Sequence, residues 1–294
     1  MRKITSLILI IILLWMSGCA SMKAQSDEDH KGENIKIVAT SVAICQILDR
    51  LGYDHVIGIP DTASSLPQRY AELPTVGLPM TPDYEKIKSL SPDLVLSPKT
   101  LEESLSKDFT AAGISSAFLD LSSVEGMYKA IKSIGGLLDC EEEALLLIGE
   151  YEEYIANYET QINDQLDTLL LMVFPDGFYL VSTENSYVGN LIKLAGGKNV
   201  YGSNYKGDEN GFASINPEDI VQKNPDIILI YAHYNEEAAF AFMRKDFETN
   251  PVWQYFDAVQ KGNVYYLPSD KFGMSATLSW TRSLDYLSPI LYGE

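Results

Sequence analysis

Residues 82–96 read PDYEKIKSLSPDLVL and residues 216–229 read NPEDIVQKNPDIIL. Both contain Glu-x-Ile, four further residues, then Pro-Asp-(Leu/Ile)-(Val/Ile)-Leu. Each copy reads as the end of a helix, a Pro-Asp turn and a strand. The unbroken apolar run after the turn fits a parallel strand covered on both faces. Glu85 and Glu218 then occupy the same place in two similar units, one in each half of the chain. Two similar α/β halves have a cleft between them, and a cleft takes a ligand.

Working outward from the first copy, Ile35–Val38 reads as a strand and Thr40-Ser41 as the cap of a helix running to Leu51. Val56–Ile59 is a second strand, 61–81 reads mainly as loop, and Pro82–Leu90 is helical. Strand Leu94–Ser97, helix Leu101–Ala112 and strand Ser116–Leu119 follow. Strands alternating with helices imply a parallel sheet with helices on both faces. From 123 to 165 the strand signal stops. Apolar residues recur at helical spacing (Ile131, Ile134, Leu138, then Leu145, Ile148, Tyr151, Ile155, Tyr158), and Glu141, Glu142 and Glu143 mark the start of a long second helix. Such a helix could join two lobes as a stiff strut, which predicts small lobe motion. The second half restarts with strand Leu169–Phe174, an Asp176-Gly177 turn and hairpin partner Tyr179–Ser182. Helix Val188–Leu194 ends at Gly196-Gly197. Strand Ile227–Tyr231, helices near Glu236–Met243 and Pro251–Gln260, strand Val264–Leu267 and a terminal helix from Leu278 complete it. The expected fold is α/β, with two Rossmann-like lobes joined by a long interdomain helix. The expected boundaries are 35–138 for the first lobe, 139–167 for the connecting helix and 168–294 for the second lobe.

The 294 residues carry 22 Lys and Arg against 41 Asp and Glu. Arg2 and Lys3 precede an apolar run, Leu7–Trp15, too short to span a bilayer as a mature helix, which needs about 20 residues. It reads as the h-region of an export signal, residues 1–18. Met16-Ser17-Gly18-Cys19 resembles the bacterial lipobox, which implies cleavage before Cys19, lipid on its sulfur, and 19–34 as a solvated tether. Loss of two cations leaves the mature chain at net −21, from 20 cations and 41 anions. That balance argues against nucleic acid and against docking on anionic lipid through basic residues. Attachment to the outer face of the cytoplasmic membrane would come from the lipid anchor, with the chain expected to be a monomer. Cys45 and Cys140 remain, with no CxxC, and read as free thiols more readily than as a disulfide.

Histidines are few. His233 follows the strand of the second repeat, at its carboxyl end, where ligand-binding groups of parallel sheets gather. Met80 lies in Gly77-Leu78-Pro79-Met80-Thr81-Pro82, where flanking prolines keep the backbone extended. Alone, Met80 reads as core or surface and His233 as an ordinary polar residue. Together, one per half, they suggest a Met/His pair over a metal centre, and thioether plus imidazole suits haem iron. Tyr231, Tyr234, Phe272 and Met274 could border the cleft and pack on a flat ligand, or be ordinary core. Thr40, Ser41 and Val42 open a helix whose free N–H groups could take a carboxylate such as a haem propionate, or simply be capped. There is no GxGxxG followed by an acidic residue, no P-loop, no HExxH and no G-x-S-x-G turn. No nucleophile–base pair is visible, so an enzyme or envelope scaffold ranks below a binding protein.

The lipobox, the twin repeats and the long helix between lobes resemble class III substrate-binding lipoproteins of ABC importers, which carry siderophores, corrinoids or haem. VGLPMTPDYEKIKSLSPDLVLS, YLVSTENSYVGNLIKLAGGKNV, NPDIILIYAH and the stretch from NPVWQYFDAV through VYYLPSDKFG are similar to the haem-binding members found in Gram-positive iron-surface-determinant systems. The resemblance implies Met80 and His233 as axial haem ligands and Glu85 and Glu218 as docking carboxylates for a permease dimer. It also implies cell-surface haem-transfer proteins as donors, and no enzymatic activity. A ligating His passes its other N–H to an acceptor. The resemblance points to the loop after Val264–Leu267, which here reads Pro268-Ser269-Asp270, so Ser269 or Asp270 is expected to serve. A ferric siderophore or corrinoid is the alternative cargo, for which Arg69, Lys206 and Lys271 are the candidate cleft cations.

Overall fold

The structure is a computed structural model that describes residues 35–158, 166–205, 207–208, 210–214 and 217–292. The expected signal 1–18, the tether 19–34 with Cys19, and Lys206 lie outside these residues. Strand β1 (Ile37–Ala39) leads into helix α1 (Val42–Arg50) and strand β2 (Val56–Gly58). A short hairpin of β3 (Gly77–Leu78) and β4 (Thr81–Pro82) precedes α2 (Tyr84–Leu90), β5 (Leu94–Pro98), α3 (Glu102–Ala111) and β6 (Ser116–Leu119). These form a parallel sheet in the order β2-β1-β5-β6. Sequence reading left 61–81 as loop and missed the hairpin, whose strands are too short to show any alternation.

Helices α4 (Val124–Leu137) and α5 (Glu141–Asn157) come next. They pack as an antiparallel helical hairpin, and the second is the long helix that the apolar spacing and the Glu141–Glu143 run predict, ending at Asn157. Gly135 lies so close to the second helix that an added Cβ would stand 2.5 Å from the Ala144 Cβ. Tyr128 of α4 stacks on Tyr151 of α5 at 4.3 Å.

The second sheet follows with β7 (Asp167–Val173), β8 (Tyr179–Ser182), α6 (Tyr187–Leu194), β9 (Lys198–Asn199), β10 (Phe212–Ala213), α7 (Pro217–Lys223), β11 (Ile227–Ala232), α8 (Glu236–Thr249), α9 (Asp257–Lys261), β12 (Val264–Leu267) and α10 (Trp280–Tyr292). Its order is β10-β8-β7-β11-β12. The centre, β7, β11 and β12, is parallel, and β8 and β10 add an antiparallel edge.

The two repeats fold alike for a visible reason. Ile87 and Ile220 bury the inner face of a seven-residue helix in each copy. The helices give way to left-handed residues, Ser91 (φ 51°) and Asn224 (φ 36°), which stop the helical ladder. The following Asp then clasps the neighbouring strand. The Asp93 carboxylate accepts from Lys36 N (2.8 Å) while Asp93 N donates to Lys36 O (2.9 Å). The Asp226 carboxylate accepts from Asp167 N (2.9 Å) while Asp226 N donates to Asp167 O (2.7 Å). Each clasp sets the register in which the repeat's strand meets its neighbour, β1 with β5 and β7 with β11.

Strand alternation sorts the core. In β11, Ile228, Ile230 and Ala232 face a cluster of the second sheet's outer side, with Leu169, Leu171 and Val173 of β7. Val38, Val95, Phe109 and Ile114 form the corresponding outer cluster of the first sheet. The opposite faces of both sheets share one cluster. It runs from Ile37, Ala39 and Leu96 through Ile131, Ile134 and Leu147 to Leu170, Met172, Leu229, Tyr231 and Trp280. Both remaining cysteines are free, and burial pushes the Cys45 thiol up to about 12.

The clasps yield a stability test. Asp93→Ala and Asp226→Ala should each lower the unfolding free energy in urea by about 1 kcal/mol, the usual worth of such a bond. They should add in the double variant, because they sit in separate sheets. Unchanged midpoints would show that turn geometry alone sets the register.

Candidate functional site

The carboxyl ends of the parallel strands in both sheets meet across the junction. Beyond β6, Leu121 O accepts from Ala276 N (2.7 Å). At the start of α4, Val124 N donates to Asn190 Oδ1 on α6 (3.0 Å). Beyond β5, Thr100 O accepts from Asn210 Nδ2 (3.4 Å). These bonds tie loops of the first half to loops of the second.

Met80 sits at the tip of the β3–β4 hairpin. Backbone bonds carry that hairpin off the end of β2: Val76 N to Ile59 O (2.8 Å), Asp61 N to Gly77 O (2.8 Å) and Asp83 N to Val76 O (2.7 Å). Gly77 (φ 92°) makes this possible, since an added Cβ would meet the Thr81 O and the Asp83 N at 3.0 Å each. The hairpin holds Leu78 and Met80 in solvent, 55% and 56% exposed, which is an unusual use of two large apolar side chains.

His233 stands at the carboxyl end of β11. Its backbone N donates to Val173 O at the end of β7 (3.0 Å). Its ring lies 4.9 Å from Phe174 and 5.6 Å from Tyr234, and Phe174 lies 5.5 Å from Phe178. The His233 Nδ1 is buried without a hydrogen-bond partner. Desolvation holds the imidazole below the ordinary histidine range, so it is neutral and able to ligate at physiological pH.

Several expected site residues are placed differently. Tyr231 does not border the cleft. It is 1% exposed, on the β11 face turned to the shared core, and its hydroxyl pairs with Ser182 Oγ (2.9 Å). Phe272 is fully buried against the edge of Tyr286, because its loop folds back under α10. Met274 is half-buried on the same core. Tyr234 is exposed beside His233. Ser41 is the helix cap, accepting from Ile44 N (3.3 Å), with Val42 opening α1. The Thr40 hydroxyl is buried and spent on Leu96 O and Ser97 Oγ (3.2 and 3.0 Å). Ser269 and Asp270 do not reach the orphan Nδ1: Ser269 N donates to Glu236 Oε2 (2.5 Å) and the Asp270 carboxylate pairs with Lys271 (2.9 Å). Arg69 is held by Asp49 and Asp54 at 3.4 Å each. Glu85 is the second residue of α2 and exposed, and Glu218 is the second residue of α7. Sequence reading missed Phe174 and Phe178. The available signal was Phe174-Pro175-Asp176-Gly177-Phe178, an aromatic residue on each side of a tight turn.

Among the described residues no group of three His, Cys, Asp or Glu could hold a bare metal ion. A lone neutral imidazole and an exposed thioether fit instead a metal already held by another ligand set. Two α/β sheets whose carboxyl-end loops bond to one another define the class of two-lobed solute-binding proteins. The chain belongs to the periplasmic binding protein family, whose profile matches residues 37–271. It is 32% identical over 290 residues to the Staphylococcus aureus (strain MRSA252) high-affinity heme uptake system protein IsdE, covering 98% of this chain and 97% of that one. Among solved structures, an ABC transporter substrate-binding protein from Listeria monocytogenes EGD-e is similar at TM-score 0.81 and 40% identity, covering 89% of this chain and 100% of that one. S. aureus IsdE complexed with heme is similar at TM-score 0.78 and 32% identity, covering 88% and 99%. The chain is a substrate-binding protein of an ABC importer, with a permease as its partner, and not an enzyme.

Burial of His233 has a pH consequence. Because folding favours its neutral form, its stabilising contribution is complete above about pH 6.5, the ordinary histidine value, and is lost as pH falls toward the lower folded value. A proton NMR titration should place the His233 midpoint below about 6.5, the ordinary histidine value. A midpoint at or above the ordinary value would mean that a carboxylate backs the ring.

Proposed function

We propose that the cargo is haem, captured in the cleft with iron between Met80 and His233 and passed to the permease for iron acquisition. The observation that carries this reading is that each half presents one such group: an exposed thioether at the tip of the β3–β4 hairpin in the first, and a neutral, half-buried imidazole at the carboxyl end of β11 in the second. Met/His axial ligation is an established way of holding haem iron. The identity to a heme uptake protein over nearly the whole chain supports it. Of the candidate cations for an anionic chelate, Arg69 and Lys271 are already paired with carboxylates. Haemin added to the purified protein should give the Soret band of a six-coordinate, low-spin complex. Met80→Ala and His233→Ala should each shift it toward a five-coordinate spectrum. Tight binding of a ferric siderophore with no response to haemin would replace this cargo by the alternative.

The same reading gives the two glutamates a separate role. Glu85 and Glu218 open equivalent helices at the same position, and one carboxylate per lobe suits docking on paired arginine pockets of a permease dimer. In cells fed haem as sole iron source, Glu85→Arg combined with Glu218→Arg should abolish growth while leaving the haemin spectrum of the purified protein intact. Growth at the wild-type rate would remove the docking role. Lipid attachment through Cys19 at the outer face of the cytoplasmic membrane belongs to this proposal, with cell-surface haem-transfer proteins as donors.

A further inference from the structure

Beside His233 the structure carries a feature that iron ligation does not explain. Phe174, Phe178 and Tyr234 form an aromatic corner around the imidazole. Phe174 is its centre, 4.9 Å from His233, 5.5 Å from Phe178 and 6.3 Å from Tyr234. The outer two rings are left in solvent, Phe178 at 51% and Tyr234 at 57% exposed.

The corner is built, not incidental. The turn joining β7 to β8 is closed by Phe174 N to Phe178 O (2.9 Å) and Gly177 N to Phe174 O (3.1 Å), and Asp176 Oδ1 accepts from Phe178 N (3.3 Å). Gly177 (φ 92°) lies flat on Phe242 of α8, where an added Cβ would stand 2.5 Å from the ring. The turn is therefore pinned to a helix, and through Val173 O it is bonded to the backbone of His233 itself. Exposed aromatic rings held in fixed positions around a single imidazole lose free energy to water unless a flat apolar surface covers them. The first half also leaves an apolar pair in solvent, Leu78 and Met80 on the β3–β4 hairpin.

We propose that Phe178 and Tyr234 bind the face of the porphyrin macrocycle independently of its metal, with Phe174 holding both rings and the His233 plane in place. This rests on the haem reading of the cleft and extends it to a ligand class: flat tetrapyrroles, including those that offer no iron to Met80 or His233. The aromatic corner supplies recognition and the axial pair supplies metal selectivity.

The test is a fluorescence titration with metal-free protoporphyrin IX beside an absorption titration with haemin. Wild-type protein should bind both. The Met80→Ala/His233→Ala double variant should still bind protoporphyrin. Phe178→Ala and Tyr234→Ala should each weaken both ligands by roughly tenfold, the worth of one aromatic contact face. Phe178→Leu, which keeps apolar bulk but removes the ring, should fall between. Urea midpoints of these variants should match wild type, since both rings are half in solvent. Haemin binding without protoporphyrin binding overturns the corner alone, as do aromatic variants with unchanged affinities. Protoporphyrin binding without haemin binding supports the corner and overturns the iron-ligand reading.

Discussion

One continuous apolar core, shared by both sheets, constrains everything else in this molecule. Ile37, Ala39 and Leu96 of the first sheet and Leu170, Met172, Leu229 and Tyr231 of the second belong to the same packed cluster. The α4–α5 hairpin and α10 fill the space between. Trp280 meets Tyr151 and Tyr154 edge-on at 5.9 and 4.9 Å and donates to the Tyr128 hydroxyl (3.3 Å). A close-packed interior of this kind resists gradual deformation. Separating the lobes widely would expose that surface, so the cleft is set by packing before any ligand arrives, and little ordering is left for binding to accomplish.

Within that frame the residues proposed to meet haem sit on two short projections. One is the β3–β4 hairpin with Leu78 and Met80, and the other is the Phe174–Phe178 turn bonded to His233. Each depends on a glycine at positive φ, Gly77 and Gly177, where an added side chain would strike neighbouring atoms. Neither relies on charge. With a net charge of −19 on the full chain, long-range steering would repel an anionic ligand. On the proposed haem reading, recognition comes from apolar contact and coordination at short range. The acidic surface is instead suited to basic partners.

The repeated Glu-x-Ile-x4-Pro-Asp segment made most of the fold legible, because a Pro-Asp turn before an unbroken apolar run has few other readings. The clasp itself was not legible: nothing in the sequence says that Asp93 and Asp226 reach the backbone of the adjoining strand. Met80 and His233 stand out in the sequence by their position relative to the repeats. Of the two readings open for Tyr231, the core one holds, because in a strand covered on both faces every second residue turns inward. Phe272 is also core, because its loop folds under the terminal helix, a tertiary fact. The aromatic corner escaped because Asp176-Gly177 reads only as a turn, and Phe174 beside it gains its place through contact with His233, far away in sequence.

In the proposed haem complex, one thioether and one imidazole, each from a different lobe, hold the iron. X-ray absorption at the iron edge of the haemin-loaded protein reads this directly. The spectrum should show one sulfur scatterer and one imidazole nitrogen on the axis, with the sulfur lost in Met80→Ala and the imidazole lost in His233→Ala. An iron shell of nitrogen and oxygen alone, unchanged in both variants, would contradict it.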